Sequence, residues 1–357
     1  MYCVITGDMI NSRKMSSKER EDIGILARRT FDKINGEYRD YLLSGFDFAR
    51  GDGFEAVLLA QYKAPKIIQE IIKAFYPVCR LRISVALGEL VWQGDADHVN
   101  AMDGPAFLVA TDALSGLKKI KSDHWLQLSI STGKQAQLLV DAMLSLLTAL
   151  TSHWTEKQRE VVWSMERLGG NKDKLAEEIG VTVNAIRKHL KVASYDSYRR
   201  AWVALEEYLV NIDKDLITTS NEKPSYISYL NVAYRNLELH ELNLAEKHAR
   251  DALKMAEAEF GSNDPRLAPV LNTLAAILLA ANQFQETVTV CERSISVQDG
   301  LATGREDMQG ALAYLAVAQF SLGNEPIANE IMSELKAITT AIKGKGVNPL
   351  CVSSSCR

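Results

Sequence analysis

Residues 1–131 combine two patterns of apolar and polar positions. Short apolar runs of the kind found in strands alternate with stretches whose apolar residues recur at helical spacing. The predicted strands are Tyr2–Thr6, Phe46–Phe48, Phe54–Ala60, Leu81–Leu87 and Trp125–Ile130. The predicted helices are one that starts at Ser16–Arg20 and has its apolar positions from Ile23 to Ile34, one marked by Ile67–Phe75, and Pro105–Lys119. The order β-α-β-β-α-β-α-β predicts an α+β domain with a ferredoxin-like core and additions.

From residue 132 onward the patterns are helical. Residues 132–153 predict a connector helix, with a dimer helix as the alternative, whose apolar side carries Leu138, Leu139, Ala142, Leu146 and Leu150. Residues 154–212 predict a separate helical domain with helices at Thr155–Leu168, Lys172–Ile179, Val183–Val192 and Tyr195–Leu209. The polar stretch Asn211–Pro224 predicts a linker.

The second and third of these helices have the spacing of a helix-turn-helix. Ala176 allows close packing, Gly180 gives the turn room, and Ile186 faces inward. In that geometry the third helix lies in the major groove of double-stranded DNA. Its exposed side chains suit phosphates and base edges, and they are Thr182, Asn184, Arg187, Lys188 and Lys191. A three-helix protein-interaction module is the alternative.

Residues 225–342 repeat. Ala233, Ala275 and Ala316 recur at spacings of 42 and 41 residues, each in the first of two predicted helices. A period near 40 with paired helices predicts an α-solenoid of helical hairpins. Such a stack offers a concave groove to a peptide or another protein; a plain helical bundle is the alternative. Residues 343–357 are polar and predict a mobile tail.

Composition narrows the function classes only slightly. The formal net charge of −4 gives no global attraction to nucleic acid or membrane, so any DNA-binding surface is local. The five cysteines form no metal-ligand pattern. The longest apolar stretch is too short to span a bilayer, and no secretory signal opens the chain. These features predict a cytoplasmic protein without a membrane partner.

The candidate chemistry lies in two Gly-Asp pairs, Gly7-Asp8 and Gly51-Asp52. A carboxylate at a strand end, beside a glycine that lets a ligand approach the backbone, suits a hard cation. Two such carboxylates together would hold the metal of a nucleoside triphosphate. The alternative is that both aspartates are ordinary turn residues.

These segments resemble known families. The order of elements, with Asp8 after the first strand and Asp52 in the hairpin, resembles the class III nucleotide cyclases. The stretch Val-Ile-Thr-Gly-Asp-x-x-Asn-Ser-Arg and the segment Arg-Gly-Asp-x-Phe resemble the SatD family. The segment Ala176–Leu190, with the helix that precedes it, resembles sigma-factor and LuxR-type helix-turn-helix domains. The repeats resemble tetratricopeptide repeats of the kinesin-light-chain sort.

The cyclase resemblance implies a cyclase-like domain with Mg²⁺ or Mn²⁺ on Asp8 and Asp52 and a nucleotide beside them. The residues themselves indicate how a nucleotide would be held: backbone amides around Asn11, Ser12 and Arg13 would cradle phosphates beside Gly7 and Gly51, and Arg13, Arg50 and Arg82 are the cationic candidates. For Arg50 and Arg82 the alternative is a role as surface partners of nearby acids. In cyclases an asparagine and an arginine on the following helix hold the ribose and the phosphate; those places fall on Leu108 and Asp112. Neither can stabilise a developing phosphoryl charge, so no catalytic residue is assigned.

Three functions follow as hypotheses. The preferred one is a homodimeric transcriptional regulator that binds DNA, senses a nucleotide or metal through a degenerate cyclase-like domain, and binds a protein through its repeats. The second is an active metal-dependent nucleotidyl cyclase or nucleotidyltransferase controlled by its helical part. The third is a protein–protein scaffold.

Overall fold

We describe a computed structural model of the chain that covers residues 1–49, 52–92, 102–120, 126–131, 137–218, 224–298 and 308–344. The described strands are β1 (Tyr2–Met9), β2 (Leu42–Phe48), β3 (Gly53–Leu58), β4 (Leu81–Gly88), β5 (Val91–Trp92), β6 (Met102–Asp103) and β7 (Leu126–Ser131). The helices of the amino-terminal half are α1 (Ser17–Glu37), α2 (Ala64–Phe75), α3 (Pro105–Lys119), α4 (Gln137–Ser152), α5 (Glu156–Arg167), α6 (Lys172–Ile179), α7 (Val183–Val192) and α8 (Tyr195–Thr218).

Five of these strands form one mixed sheet in the order β2-β3-β1-β4-β7. Strand β1 is central and pairs antiparallel with β3 on one side and β4 on the other, whereas β7 runs parallel to β4. Strands β5 and β6, which are not among the predicted strands, form a separate two-residue ladder. The amino-terminal part is therefore an α+β unit, as predicted, and the predicted order of elements is confirmed for the described residues.

The two faces of the large sheet are covered differently. Phe31 of α1 packs against Phe54 of β3 with ring centroids 5.3 Å apart, and it also meets Phe75 of α2. These rings belong to a continuous buried core that includes Ile5 and Ile83 of the central strands. Helix α3 packs on the opposite face, against β1, β4 and β7. Burial of these large apolar side chains is the main favourable contribution to this arrangement.

The buried side of α4 is not the side that the sequence predicts. The residues it buries are Val140, Leu144 and Leu147, and the helix packs against β7 and α8. Leu138, Leu139 and Leu146, which were expected on the packed side, are 80%, 75% and 71% exposed. Both sides of this helix are apolar, so periodicity alone does not identify the buried one. The helix is also packed in the fold rather than an isolated connector.

The next three helices begin and end where local signals place them. The side chain of Thr155 caps α5 by accepting a hydrogen bond from the amide of Gln158, 3.3 Å away. Gly180 ends α6 in the left-handed conformation, with a φ of 67°. Thr182 caps α7 through the amide of Ala185, at 3.2 Å. Helix α8, by contrast, runs on to Thr218, so the predicted linker at 211–224 is wrong over its first eight residues.

The carboxyl-terminal half of the described chain is all helical. Its helices are α9 (Tyr226–Glu238), α10 (Leu242–Phe260), α11 (Ala268–Ala280), α12 (Phe284–Gln298), α13 (Gln309–Ser321) and α14 (Glu325–Gly344). They pack as three consecutive hairpins within the described residues. The turn inside each hairpin holds one residue with positive φ, and these residues, His240, Asn282 and Gly323, follow the spacing of the sequence repeat.

Small residues are buried at equivalent places in the three hairpins. Ala245, Thr287 and Ala328 lie in the second helices and are at most 3% exposed. Ala252, Ser294 and Leu335 are buried further along the same helices, which continue to Phe260, Gln298 and Gly344. No helix among the described residues is long and apolar enough to cross a membrane.

Candidate functional site

The candidate metal residue Asp8 lies near the end of the central strand. Its neighbours across the sheet are Gly53 on β3 and Arg82 on β4. Residues directly opposite each other in a sheet project to the same face, so Arg82 stands beside the carboxylate, while Gly53 has no side chain to fill the other side. Asp52 precedes Gly53 directly. Strand pairing therefore brings the two predicted metal residues to the same edge of the sheet.

Two cations hold the Asp8 carboxylate, which is only 10% exposed. Nη1 of Arg82 lies 3.3 Å from Oδ1, and Nζ of Lys118, in the last turn of α3, lies 2.7 Å from Oδ2. Both oxygens of the carboxylate are thus engaged by positive charge. A metal ion would have to share or replace these partners.

The negative charges of both aspartates act on the buried thiol of Cys79. Burial is the main cause that raises the pKa of this thiol to about 11, and the negative charges of Asp52 and Asp8 raise it further. Glu55 adds a third carboxylate on the face of Asp8, since its cross-strand partner is Thr6. Burial raises the pKa of Glu55, and a hydrogen bond from Thr6 opposes that rise.

The structure describes only some of the residues assigned to a nucleotide. Asn11 has a left-handed backbone, with a φ of 66°, and leads into a short 3-10 turn at Ser12–Lys14. Asn11 is exposed and Ser12 half-buried. The side chain of Arg13 and both Arg50 and Gly51 lie outside the described residues.

Gly7 has a packing role that the sequence analysis did not identify. A Cβ atom built at this position would lie 2.3 Å from the ring of Phe54. The absence of a side chain therefore lets the phenylalanine cross the central strand. Close approach of an aromatic ring is sufficient to explain this glycine.

The cation that α3 places beside Asp8 is Lys118, at a position that the cyclase resemblance does not indicate. Leu108 and Asp112 are both exposed, whereas Lys118 reaches Asp8. No sequence pattern indicates the contact between Lys118 and Asp8, because it joins residues 110 positions apart. Among the described residues, no group of three or more histidine, cysteine, aspartate or glutamate side chains is arranged to hold a metal ion.

Helix α7 presents a second candidate surface. Ile186 and Leu190 are buried against neighbouring helices, at 0% and 7% exposure. The residues assigned to DNA contacts are all exposed, namely Thr182, Asn184, Arg187, Lys188 and Lys191. Nη1 of Arg187 donates a hydrogen bond to Oδ1 of Asn184 at 3.1 Å, one helical turn away. Three cationic side chains thus share the exposed side of a helix whose other side is fixed.

A cleft of about 880 Å³ lies between the α+β unit and helix α5. Nζ of Lys73 on α2 pairs with Oε2 of Glu166 on α5 at 2.7 Å. Arg159 of α5, 6% exposed, lies 4.6 Å from the ring centroid of Tyr76. Positive and negative side chains balance around the cleft, so its lining specifies no ligand charge.

The hairpins are fixed to the α+β unit through buried polar contacts. The hydroxyl groups of Tyr2 and Tyr226 lie 2.6 Å apart. Nε2 of Gln61, which is fully buried, donates to Oδ2 of Asp213 at 2.6 Å and to the carbonyl of Leu209 at 2.8 Å. These contacts join the sheet unit, α8 and the first hairpin into one packed assembly.

Comparison with known proteins gives one match. The family model described as "SatD family" matches residues 2–209. The matched region covers the sheet, α4 to α7 and the greater part of α8, and it stops before the hairpins. No curated protein and no solved structure matches the chain.

Proposed function

The chain belongs to the SatD family, and on that premise we propose that it is a cytoplasmic, DNA-binding transcriptional regulator. In this proposal α6 and α7 act as a helix-turn-helix, the α+β unit senses a nucleotide or a metal ion, and the hairpins, as tetratricopeptide-like repeats, bind a protein partner. A homodimer would present two copies of α7 to the two halves of a DNA site.

The observation that carries the proposal is the division of α7 into two sides. Ile186 and Leu190 hold one side on the neighbouring helices, while Arg187, Lys188 and Lys191 are exposed on the other. Arginine and lysine bind phosphates and guanine edges, and asparagine binds adenine. A fixed helix with exposed cationic side chains is what insertion into a major groove requires.

The sensing role draws on the edge of the sheet around Asp8. The order and the antiparallel pairing of β2, β3, β1 and β4 are compatible with a ferredoxin-like core, and the cyclase-like role of this unit is part of the proposal. Asp8 lies on β1, Asp52 directly precedes the adjacent strand β3, and Arg82 and Lys118 add positive charge. This mixture of carboxylates and cations suits a metal–phosphate ligand. In a cyclase-like site, Mg²⁺ or Mn²⁺ would supply charge neutralisation of the phosphates.

Duplex DNA titration tests the proposal directly. Fluorescence anisotropy with a pool of labelled genomic duplexes at 50 and 200 mM salt would compare the wild type with Arg187→Ala/Lys188→Ala. The wild type should bind more weakly at higher salt because counter-ions are released from the phosphates. The variant should lose affinity at low salt and have a salt slope smaller by about 2.

The matched control removes the same charge elsewhere. Lys247→Ala/Lys254→Ala takes two exposed lysines from α10 and should bind DNA like the wild type. Wild-type protein that does not bind any duplex at 50 mM salt, or an α7 variant that binds as tightly as the wild type, would contradict DNA binding through α7.

A second candidate function is a metal-dependent nucleotidyl enzyme, favoured by the adjacency of Asp8 and Asp52. The exposed positions of Leu108 and Asp112 on α3 weigh against it, since neither supplies the positive charge that phosphoryl transfer needs. Incubation with each nucleoside triphosphate and Mn²⁺, beside Asp8→Ala/Asp52→Ala, separates the two candidates. A cyclic or oligomeric product that disappears in the double variant would establish the enzyme.

A further inference from the structure

The cleft between the α+β unit and α5 contains one cation that differs from the others. Lys73 and Arg167 at its rim are accessible to solvent and pair with carboxylates, those of Glu166 and Glu178. Arg159, on the same helix as Arg167, is only 6% exposed. Among the described residues it is the one lysine or arginine that is buried. The charges of the cleft therefore balance as a whole, but this buried position carries a positive charge of its own.

The guanidinium of Arg159 has few partners for a buried charge. Nη2 donates to the backbone carbonyl of Thr151 at 2.5 Å, and the ring centroids of Tyr76 and Trp154 lie 4.6 Å and 5.9 Å from Cζ. No carboxylate oxygen lies within 4.0 Å of it among the described residues, and its Nε has no acceptor there. An arginine stays charged in a protein, and buried charges are ordinarily paired. The contacts within the chain therefore leave this guanidinium without an anion.

A second donor without an acceptor lies at the same place. Arg159 and Trp163 line both the cleft and a smaller pocket of about 30 Å³. Trp202 also lines this pocket, is 7% exposed, and its Nε1 has no acceptor among the described residues. The pocket is otherwise largely apolar, with Leu144 and Leu147 in its lining. Its volume suits a group about the size of a water molecule. A group with acceptor oxygens would satisfy both buried donors.

Two aromatic rings form the wall of the cleft beside Arg159. Tyr76 and Trp163 pack edge to face, with centroids 5.5 Å apart and an interplanar angle of 79°. Both rings line the cleft and are half-buried, so part of each faces its interior. Such side chains pack well against another planar ring, and the volume of about 880 Å³ is typical of small-molecule sites. The cleft therefore has room for a ring beside the buried donors.

We propose that the cleft binds a small anion that carries a planar ring. The anionic group of this ligand accepts hydrogen bonds from Arg159 at the small pocket, and its ring packs on Tyr76 and Trp163. An aromatic carboxylate and a nucleoside monophosphate share this chemistry, since each joins an anionic group to a planar ring. The inference goes beyond the proposed function, because no residue that lines the cleft or the small pocket belongs to the edge of the sheet around Asp8.

The ligand would contact two parts of the fold at once. Tyr76 directly follows α2 of the α+β unit, whereas Arg159 and Trp163 belong to α5. Helix α5 in turn packs against α7. A ligand that binds the folded chain alone stabilises it by mass action. Binding should therefore raise the unfolding temperature of the chain.

Calorimetric titration of the full chain tests the proposal with probes that have or lack the ring. Benzoate and indole-3-carboxylate are compared with acetate, and AMP and GMP are compared with inorganic phosphate. At least one ring-bearing probe should bind about tenfold more tightly than its ring-free counterpart and should raise the unfolding temperature. Binding of a ring-bearing carboxylate indicates an aromatic acid as the ligand, whereas binding of AMP or GMP indicates a nucleotide.

Variants of the two kinds of contact separate the charge from the ring. Arg159→Gln should weaken binding of the ring-bearing probe at least about tenfold, because the charged donor is removed. Arg159→Lys keeps the charge but lacks Nε and the planar fork, and it should show a similar loss if Arg159→Gln does not fold. Trp163→Leu should reduce the advantage of the ring-bearing probe and leave the affinity for its ring-free counterpart unchanged.

The matched control is Arg167→Gln. It removes a cation of the same helix at the rim of the same cleft, but one that already pairs with Glu178. This variant should bind the probe as the wild type does. Equal losses in Arg167→Gln and Arg159→Gln would mean that the probe responds only to the general charge of the cleft, which overturns the proposal.

The outcome is independent of the functions proposed for α7 and for the Asp8 edge. Arg187→Ala/Lys188→Ala and Asp8→Asn should both bind the probe as the wild type does, so failure of either function leaves this result readable. The proposal is also overturned if no ring-bearing probe binds more tightly than its counterpart, or if Asp8→Asn removes the binding. Losses in the Arg159 and Trp163 variants, with unchanged binding in the Arg167 and Asp8 variants, support it.

Discussion

Nζ of Lys118 lies 2.7 Å from Oδ2 of Asp8. The carboxylate that is the candidate metal ligand therefore carries an internal counter-ion from the end of α3. Arg82 occupies its other oxygen at 3.3 Å. Lys118 is the more exposed of the two cations, with 51% of its side chain accessible against 18%, so it is the partner that can move away at lower cost.

Lys118→Met should increase the affinity for Mn²⁺. Removing the ammonium group frees Oδ2 of Asp8 for a divalent cation and removes a repulsive charge, which predicts a gain of about three- to tenfold at this partly screened site. Titration calorimetry at low ionic strength measures it.

Lys119→Met removes the neighbouring, exposed charge and should have little effect on metal affinity. Asp8→Asn should remove binding in both backgrounds. Equal Mn²⁺ affinity in Lys118→Met and the wild type would mean that Asp8 is not the metal ligand.

Lys118 also marks the limit of prediction from the sequence. The two Gly-Asp pairs are visible as local motifs, and the order of strands places them together. The ion pairs of Asp8 come from β4 and α3, and no local pattern indicates which cation of a helix will reach a strand on the same sheet face. The elements that position the site and the candidate Arg82 were therefore predictable, but the contact of Lys118 with Asp8 was not.

The ends of the helices around Gly180, in contrast, could be predicted from the sequence. The ends of α6 and α7 were predicted to the residue because caps and left-handed glycines are local signals. Helix α8 was ended too early because Asn211 and Asp213 were interpreted as linker residues. Asp213 is instead fully buried, where it accepts a hydrogen bond from Gln61, which lies 152 positions away.

Gly7→Ala should destabilise the fold even if Gly7 contacts no ligand. The new methyl group would lie 2.3 Å from the ring of Phe54, which is fully buried and packed against Phe31. Overpacking of this kind costs about 1–3 kcal/mol. Urea unfolding followed by circular dichroism measures the loss.

Gly24→Ala is the matched control, since Gly24 lies in the interior of α1 with nothing within 4 Å of a built Cβ. Alanine there should stabilise the chain by about 0.5–1 kcal/mol. A Gly7 variant as stable as the wild type would show that the ring of Phe54 adjusts freely.

Leu144→Ala and Leu146→Ala test which side of α4 is packed. Leu144 is 1% exposed and Leu146 is 71% exposed. Truncation of a buried leucine costs about 2–5 kcal/mol, whereas the exposed position should change the free energy of unfolding by at most about 0.5 kcal/mol. Equal losses in urea unfolding would contradict this orientation of the helix.

Asp213 should make the stability of the chain depend on pH. Burial raises the pKa of its carboxyl from 3.8 to about 7, although the positive amino terminus opposes that rise. The folded chain therefore holds the proton more tightly than the unfolded one. The stabilisation from this group is complete below about pH 4, declines as the pH rises, and is lost above about pH 7.

Asp213→Asn keeps an acceptor for Gln61 and cannot ionise, so it should lack this decline. Between pH 5 and pH 8 the wild type should lose about 2–3 kcal/mol more unfolding free energy than the variant. Asp196→Asn, at an exposed position of the same helix, should lose as much unfolding free energy between the two pH values as the wild type. Urea unfolding at the two pH values measures the difference. A wild type and Asp213→Asn variant that lose the same free energy would mean that the carboxyl is already ionised when the chain is folded at pH 5.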